Sequence, residues 1–295
     1  MNGFLNVLKP PGMTSSQVVG FVRRLMDGEK AGHAGTLDPQ AAGILPVMAG
    51  KAARLFDYLV DKQKAYVAEI AFGTATDTQD AQGKVTERGE NYPTAAQVQA
   101  VLQKFIGQIL QAPPSYSAIK QNGQRLYDLA RKGEMVEAPP RAIQVDDIRL
   151  GEETDNHGMM LHIRCGKGTY VRTLCHDIGQ ALSCPAHMRF LLRSQSGVFT
   201  LDNAYTLEEL QSAREEGRLS ECLLPMDLPL SHLPRGDVPR GLAGICKNGG
   251  QMPLSAFPAL MNAAENVPLR LYLFDAFMGI AQRRGDTVAF RAMVG

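Results

Sequence analysis

Between Leu224 and Arg240 four prolines, Pro225, Pro229, Pro234 and Pro239, fall within seventeen residues. Proline locks φ and lacks the N–H that a helix interior or a central strand needs. No long element can run through such a stretch, so the chain is expected to divide into a large unit over 1–235 and a small one over 236–295. A length of 295 residues fits two units, and the larger has ample chain to bury a core.

Both hydrophobic periods occur in the larger unit. Gly3–Leu8 reads as a buried strand that runs into the Pro10-Pro11-Gly12 turn. Ser15 or Ser16 can cap a helix whose apolar face is Val18, Val19, Val22, Leu25 and Met26. An apolar run at Ile44–Met48, a helix at Lys51–Leu59 and a strand at Ala65–Phe72 follow. Thr74–Gly89 is rich in Thr, Asp, Gln and Gly and reads as a polar loop. Thr94 and Gln97 form a capping box for a helix to about Phe105. Residues 111–141 read as irregular around Pro113-Pro114 and Pro139-Pro140, with a helix over Gln124–Lys132. Strands at 142–150 and 159–165, a helix at 170–182, strand-rich residues 186–200 and a helix opened by Thr206 and Glu209 complete the unit. Without a regular βαβ period this order predicts an α+β fold on a mixed β-sheet. Beyond the prolines, Leu271–Phe274, Gly279–Gln282 and Thr287–Val294 read as short strands of an all-β module.

A net charge of +1 argues against a nucleic-acid binder built on bulk positive charge. The charge is uneven, however. Residues 160–200 carry Arg164, Lys167, Arg172, Arg189 and Arg193 against Asp177 alone among the acids. Five scattered cysteines without a CxxC pair read as reduced thiols of a cytosolic protein. No signal-peptide pattern and no long apolar run is present, so no membrane span is expected. His162-x-x-Cys165, Cys175-His176 and Cys184-x-x-His187 contain zinc-ligand types. Their spacings send the side chains to diverging faces, which argues against a metal site.

Gly32-His-Ala-Gly-Thr-Leu-Asp-Pro-Gln40 displays one carboxylate, Asp38, on a permissive backbone. Gly32 and Gly35 tolerate φ > 0 and leave room for another molecule, and Pro39 biases Asp38 towards an extended or turn conformation. Taken alone, such an Asp reads as a solvated turn residue, and His33, five residues before it, as its hydrogen-bond partner or a fellow metal ligand, though no further ligands lie nearby at suitable spacing.

Lys9-Pro-Pro-Gly-Met-Thr-Ser-Ser16, Gly32–Gln40, Ala112-Pro-Pro-Ser-Tyr-Ser-Ala-Ile-Lys120 and Lys167-Gly-Thr-Tyr-Val-Arg-Thr173 occur in that order. Together they closely resemble the bacterial tRNA pseudouridine-55 synthases of the TruB type, over most of residues 3–200. Asn248-Gly-Gly-Gln251 and the terminal strands resemble the PUA-type RNA-binding barrel. The resemblance implies a pseudouridine-synthase mixed sheet with flanking helices and a small C-terminal PUA-like β-barrel. It implies isomerisation of a uridine in the T-loop of tRNA, by a monomeric cytoplasmic enzyme that requires no protein partner. Breaking N1–C1′, rotating the uracil and joining C5 to C1′ oxidises nothing and loses no group, so neither metal nor other cofactor is expected. A positioned carboxylate serves such chemistry, whether it bonds to C6 of the base or to C1′ of the sugar.

By resemblance Asp38 is the nucleophile. Arg172 is its ion-pair partner, offsetting the RNA phosphates that would favour the protonated acid. Tyr66 matches the tyrosine that stacks on the target uracil and can assist proton removal. Tyr170 lines the uracil pocket, and the backbone of Leu191 contacts the base. His33 is similar to the histidine that fills the stack vacated by a flipped base. Residues 111–141, with Lys120, Arg125, Arg131 and Arg141, resemble an RNA-gripping insertion. Lys9 stands for either a phosphate contact or a brace of the Asp38 loop. The rivals are a guide-RNA-dependent uridine isomerase, an RNA chaperone with dispensable catalysis and, more distantly, a metal-dependent hydrolase.

Overall fold

The computed structural model describes residues 1–59, 63–114, 120–121, 124–125, 138–262 and 264–295. Its strands in chain order begin with β1 (Gly3–Lys9), β2 (Ala31–His33), β3 (Ala42–Ala49), β4 (Lys64–Phe72), β5 (Thr74–Thr76), β6 (Val85–Arg88) and β7 (Gly107–Gln111). The short pair β8 (Lys120–Gln121) and β9 (Gln124–Arg125) precedes β10 (Arg141–Thr154), β11 (Gly158–Cys165), β12 (Ala186–Ser196) and β13 (Phe199–Thr200). The helices are α1 (Ser15–Leu25), α2 (Ala95–Leu102), α3 (Val171–Ala181) and α4 (Leu207–Glu215), with a single turn, α5 (Ala243–Lys247), further on.

One sheet runs β1-β3-β12-β4-β11-β10-β7, with β2 on β3 and β13 on β12. All its pairs are antiparallel except β12 with β3, which makes it mixed, as the irregular element order predicts. That parallel contact is tight. Gly43 has φ +115°, and a Cβ there would lie 2.2 Å from the Arg193 carbonyl oxygen, so the close approach requires glycine.

Period-2 alternation sends neighbouring residues of β1 and β3 into different cores. Leu5, Val7, Leu45 and Val47 pack with Val18 and Val22 of α1 and Leu210 of α4. Phe4, Ile44 and Met48 face the other way, onto Leu55, Leu230, Ile280 and Val294. A third core sets Val98 and Leu102 of α2 and Leu174 and Ile178 of α3 against Ala68, Ile70, Leu161 and Leu191 of the sheet.

The remaining strands, β14 (Arg235–Asp237), β15 (Met252–Pro253), β16 (Pro268–Leu273), β17 (Ala276–Arg284) and β18 (Thr287–Met293), form a second sheet in the order β14-β16-β17-β18-β15. It has its own core around Leu254, Phe257, Leu269 and Leu271. The two sheets also meet across a shared apolar seam, where Arg54 Nη1 donates to the Met293 carbonyl at 2.8 Å.

Several local expectations change. Thr14, not Ser15 or Ser16, caps α1: it accepts from the Gln17 N–H in a full capping box, which leaves the Ser15 hydroxyl for another use. The helix over Lys51–Leu59 forms as a 3₁₀ helix, Gly50–Tyr58. The polar loop Thr74–Gly89 contains the β5–β6 hairpin. Gln124 and Arg125, expected to open a helix, pair instead as strand with Gln121 and Lys120. The rest of that expected helix and most of the expected gripping insertion, Arg131 included, lie outside the described residues, as do the side chains of Lys120 and Arg125. Among the described residues no helix is long and apolar enough to cross a membrane.

Candidate active site

The Asp38 loop is held by its backbone. Arg193 donates to the Gly35 and Thr36 carbonyls, both at 3.2 Å, and from Nε to the Ile44 carbonyl at 2.7 Å. The buried Ser15 hydroxyl bonds both sides of the Leu37 peptide, donating to its carbonyl at 3.0 Å and accepting from its N–H at 2.9 Å. Ala41 N–H closes a turn on the Asp38 carbonyl at 3.1 Å. Lys9 is fully buried and donates to the carbonyls of Pro10, Met13 and Pro39 at 2.6–2.9 Å. Every carbonyl from Gly35 to Pro39 is therefore an acceptor. Gly35, at φ +120°, supplies a backbone conformation that L side chains rarely adopt.

Helix α3 delivers the second charge. Its N-cap, Tyr170, is gripped on both sides of its peptide by the buried Gln111 side chain, which accepts from Tyr170 N–H at 2.9 Å and donates to its carbonyl at 3.1 Å. Arg172 in the first turn is nearly buried and forks between two carboxylates, Asp38 Oδ2 at 3.6 Å and Asp80 Oδ2 at 3.5 Å. Asp80 comes from the β5–β6 hairpin. Its other oxygen accepts from Thr78 Oγ1 at 2.7 Å and Gln82 N–H at 3.0 Å. The hairpin is pinned to α3 by Thr173 Oγ1, which donates to Gln79 Oε1 at 2.6 Å, and to β12 by Met188 N–H on the Gln79 carbonyl at 3.0 Å.

These elements enclose a cavity of about 280 Å³ whose walls include Asp38, Tyr66, Tyr170, Arg172, Leu191 and Arg193. Tyr66 projects from β4 opposite Arg193 of β12. Burial pushes its phenol up to about 12, and the neighbouring Arg193 guanidinium opposes that rise. Burial pulls Lys9 down to about 8, with nearby Asp38 resisting. It also lowers Lys64, which lines the same cavity, and Arg193 adds to that effect. His33 lies on β2, held neutral by burial and by the charge of Arg193, and its buried Nδ1 has no hydrogen-bond partner among the described residues.

Of the residues singled out in the sequence, Asp38, Tyr66, Tyr170, Arg172 and Leu191 thus meet in one cavity. Lys9 lies beneath the loop with its ammonium spent on carbonyls, and His33 stands outside the cavity wall. The sequence does not single out Asp80 or Gln111, and it marks Arg193 only as part of the basic run over 160–200 and Ser15 only as a candidate helix cap. Arg193 follows Leu191 by two on a strand, a spacing that places it on the same face. Asp80 sat in a polar stretch that offers no such signal.

Residues 23–171 match the model of the TruB family pseudouridylate synthase N-terminal domain, and residues 172–231 match the tRNA pseudouridylate synthase B C-terminal domain. The chain belongs to the TruB family. Among its relatives is a tRNA pseudouridine synthase B of Alkaliphilus oremlandii, 39% identical, with 97% of this chain and 94% of the relative covered. Another, of Symbiobacterium thermophilum, is 48% identical over 80% of this chain and 78% of the relative. A crystal structure of a Cbf5–Nop10–Gar1 complex contains a chain 26% identical to this one. That likeness has a TM-score of 0.73 and covers 95% of this chain and 78% of the other. The enzyme class and the mixed α+β pseudouridine-synthase fold are those of the TruB family, and the curled C-terminal sheet is PUA-like.

Proposed function

We propose that this chain isomerises uridine to pseudouridine at position 55 in the T-loop of tRNA, with Asp38 as nucleophile and the target base flipped into the cavity. One observation carries the choice of nucleophile. Of the two carboxylates on Arg172, the Asp38 side chain is 40% exposed and accepts no hydrogen bond from the described residues, whereas Asp80 is 18% exposed and its Oδ1 is already bonded twice. An oxygen free of competing donors keeps its lone pair for an electrophilic carbon.

Arg172 keeps that carboxylate ionised beside RNA phosphate. Tyr66 offers a π-face to the uracil, while Tyr170 and Leu191 confine the ring. Lys9 positions the loop, which favours the brace among its two readings. Extrusion of the base costs roughly a few kcal/mol, and a neutral His33 with a free ring nitrogen suits the stack that the base vacates. Residues 1–235 act as the catalytic unit, and 236–295, with the insertion at about 111–141 and Lys120, hold the RNA. The relatives named tRNA pseudouridine synthase B support a tRNA substrate and, with it, a cytoplasmic enzyme; action as a monomer without a protein partner is part of the proposal.

The test is tritium release from a T-arm hairpin labelled at C5 of the target uridine, with wild type and Asp38→Asn. Release by wild type and none by the variant is expected; release by the variant would remove Asp38 from the chemistry. Cytidine at the target position should abolish release. Activity on a bare tRNA transcript separates this reading from guide-dependent isomerisation, which would leave the transcript unmodified.

A further inference from the structure

Arg193 is 1% exposed, lines the cavity and is paired with no carboxylate among the described residues. Arg172 differs, because two carboxylates share its charge. An unpaired buried cation costs several kcal/mol in desolvation. Nε, Nη1 and Nη2 each donate to a backbone carbonyl, of Ile44, Thr36 and Gly35, so the guanidinium has a fixed place. Its field reaches its neighbours: it disfavours protonated Lys9, His33 and Lys64 and favours ionised Tyr66. The backbone carbonyls hold Arg193 in place without neutralising it, and no carboxylate among the described residues pairs with it.

Tyr66 stands directly opposite Arg193 across the β4–β12 register, and both line the cavity. Once the base has rejoined the sugar through C5, the C5 proton must leave. We propose that Arg193 is a positioning residue whose buried guanidinium is the counter-charge for Tyr66 when the Tyr66 oxygen takes the C5 proton. This rests on the isomerase reading above and goes beyond it. In that step Tyr66 gives its hydroxyl proton to water at the cavity mouth as its oxygen takes the C5 proton, and it ends as neutral phenol. The C5–H electron pair returns to the ring to restore the C5–C6 double bond, and N1 of the new pseudouridine takes a proton from water. The balance closes without any further reactant.

The experiment is single-turnover isomerisation of a T-arm hairpin carrying protium or deuterium at C5 of the target uridine. Wild type, Arg193→Lys and Arg193→Met are compared, each with tyrosine or the more acidic 2,3-difluorotyrosine at position 66. Arg193→Lys should slow turnover about 10-fold and Arg193→Met about 100-fold. RNA affinity should stay within about threefold, since Arg193 is buried and held on backbone carbonyls, away from a phosphate-facing surface. The deuterium effect should grow in both variants, and difluorotyrosine should restore most of the rate lost in Arg193→Lys. A purely structural role predicts equal losses with either tyrosine and an unchanged isotope effect, and that result would overturn the proposal. So would Tyr66→Phe turning over at the wild-type rate. If Arg193→Met fails to fold, Arg193→Lys with the two tyrosines decides alone. Wild type that leaves the hairpin unmodified would instead sink the isomerase reading, so the two failures are distinguishable.

Discussion

Two segments bring a carboxylate to Arg172, and they are built in opposite ways. The Asp38 loop is fixed from below, its consecutive carbonyls from Gly35 to Pro39 all bonded by Arg193, Ser15, Lys9 and neighbouring N–H groups, while among the described residues the Asp38 carboxylate itself has only an ion pair. The β5–β6 hairpin has a fully exposed outer strand, yet its Asp80 carboxylate is tied by Thr78 and Gln82. In one the backbone is rigid and the side chain available. In the other the side chain is committed. Preorganisation placed in the backbone leaves the functional atoms uncommitted, which a nucleophile needs. Hydrogen bonds placed on the carboxylate make it a fixed counter-charge.

Substitutions test this division of labour, and the largest effect belongs to Asp38→Asn. Pseudouridine formation should fall by at least about 10⁴-fold in single turnover. Arg172→Met, which strips both carboxylates of their shared cation, should lose about 10³-fold. Asp80→Asn keeps Arg172 on Asp38 and should lose only about 10- to 100-fold. Equal losses for Asp80→Asn and Asp38→Asn, measured by tritium release, would erase the distinction between the two carboxylates.

Smaller effects probe the supports. Ser15→Ala leaves both sides of the buried Leu37 peptide unbonded. It should destabilise the protein by about 2 kcal/mol in denaturant unfolding, with a modest rate loss as the loop loosens. Thr78→Ala on the exposed hairpin should cost under about 1 kcal/mol. A larger cost for Thr78→Ala than for Ser15→Ala would reverse the assignment of the rigid segment.

The smallest effect is a pH dependence. Burial and Arg193 hold the His33 pKa below its ordinary 6.5. The unfolded chain therefore binds more protons as pH falls through 6.5, so stability declines on that side. The melting temperature of wild type should drop more steeply below that pH than that of His33→Gln. Parallel curves would show that His33 is not held neutral by the fold.

Much of this was legible along the chain. The capping boxes at Thr94 and Thr206 formed as read, because capping is local chemistry within four residues. Strand β4 formed within a residue of its expected start, since period-2 burial is written directly in Lys64–Phe72. The β5–β6 hairpin did not show, because its outer strand buries nothing and carries no apolar pattern. Nor did the seam that joins Phe4, Ile44 and Leu55 to Ile280 and Val294, since apolarity marks a residue as buried without naming its partner.

Within the site, the sequence by itself determined the chemistry on offer: a carboxylate on a glycine-rich loop, an arginine, and a tyrosine at the head of a strand. Those identities lie in short segments whose order and spacing are specific. The tertiary structure alone decided how each charge is spent. It turned Lys9 inward onto carbonyls, divided Arg172 between Asp38 and Asp80, and left Arg193 buried against Tyr66 with no carboxylate partner among the described residues. Charge compensation depends on distances between segments far apart in the chain and on water being excluded between them. Neither quantity exists until the sheet has brought β4, β12 and the Asp38 loop together.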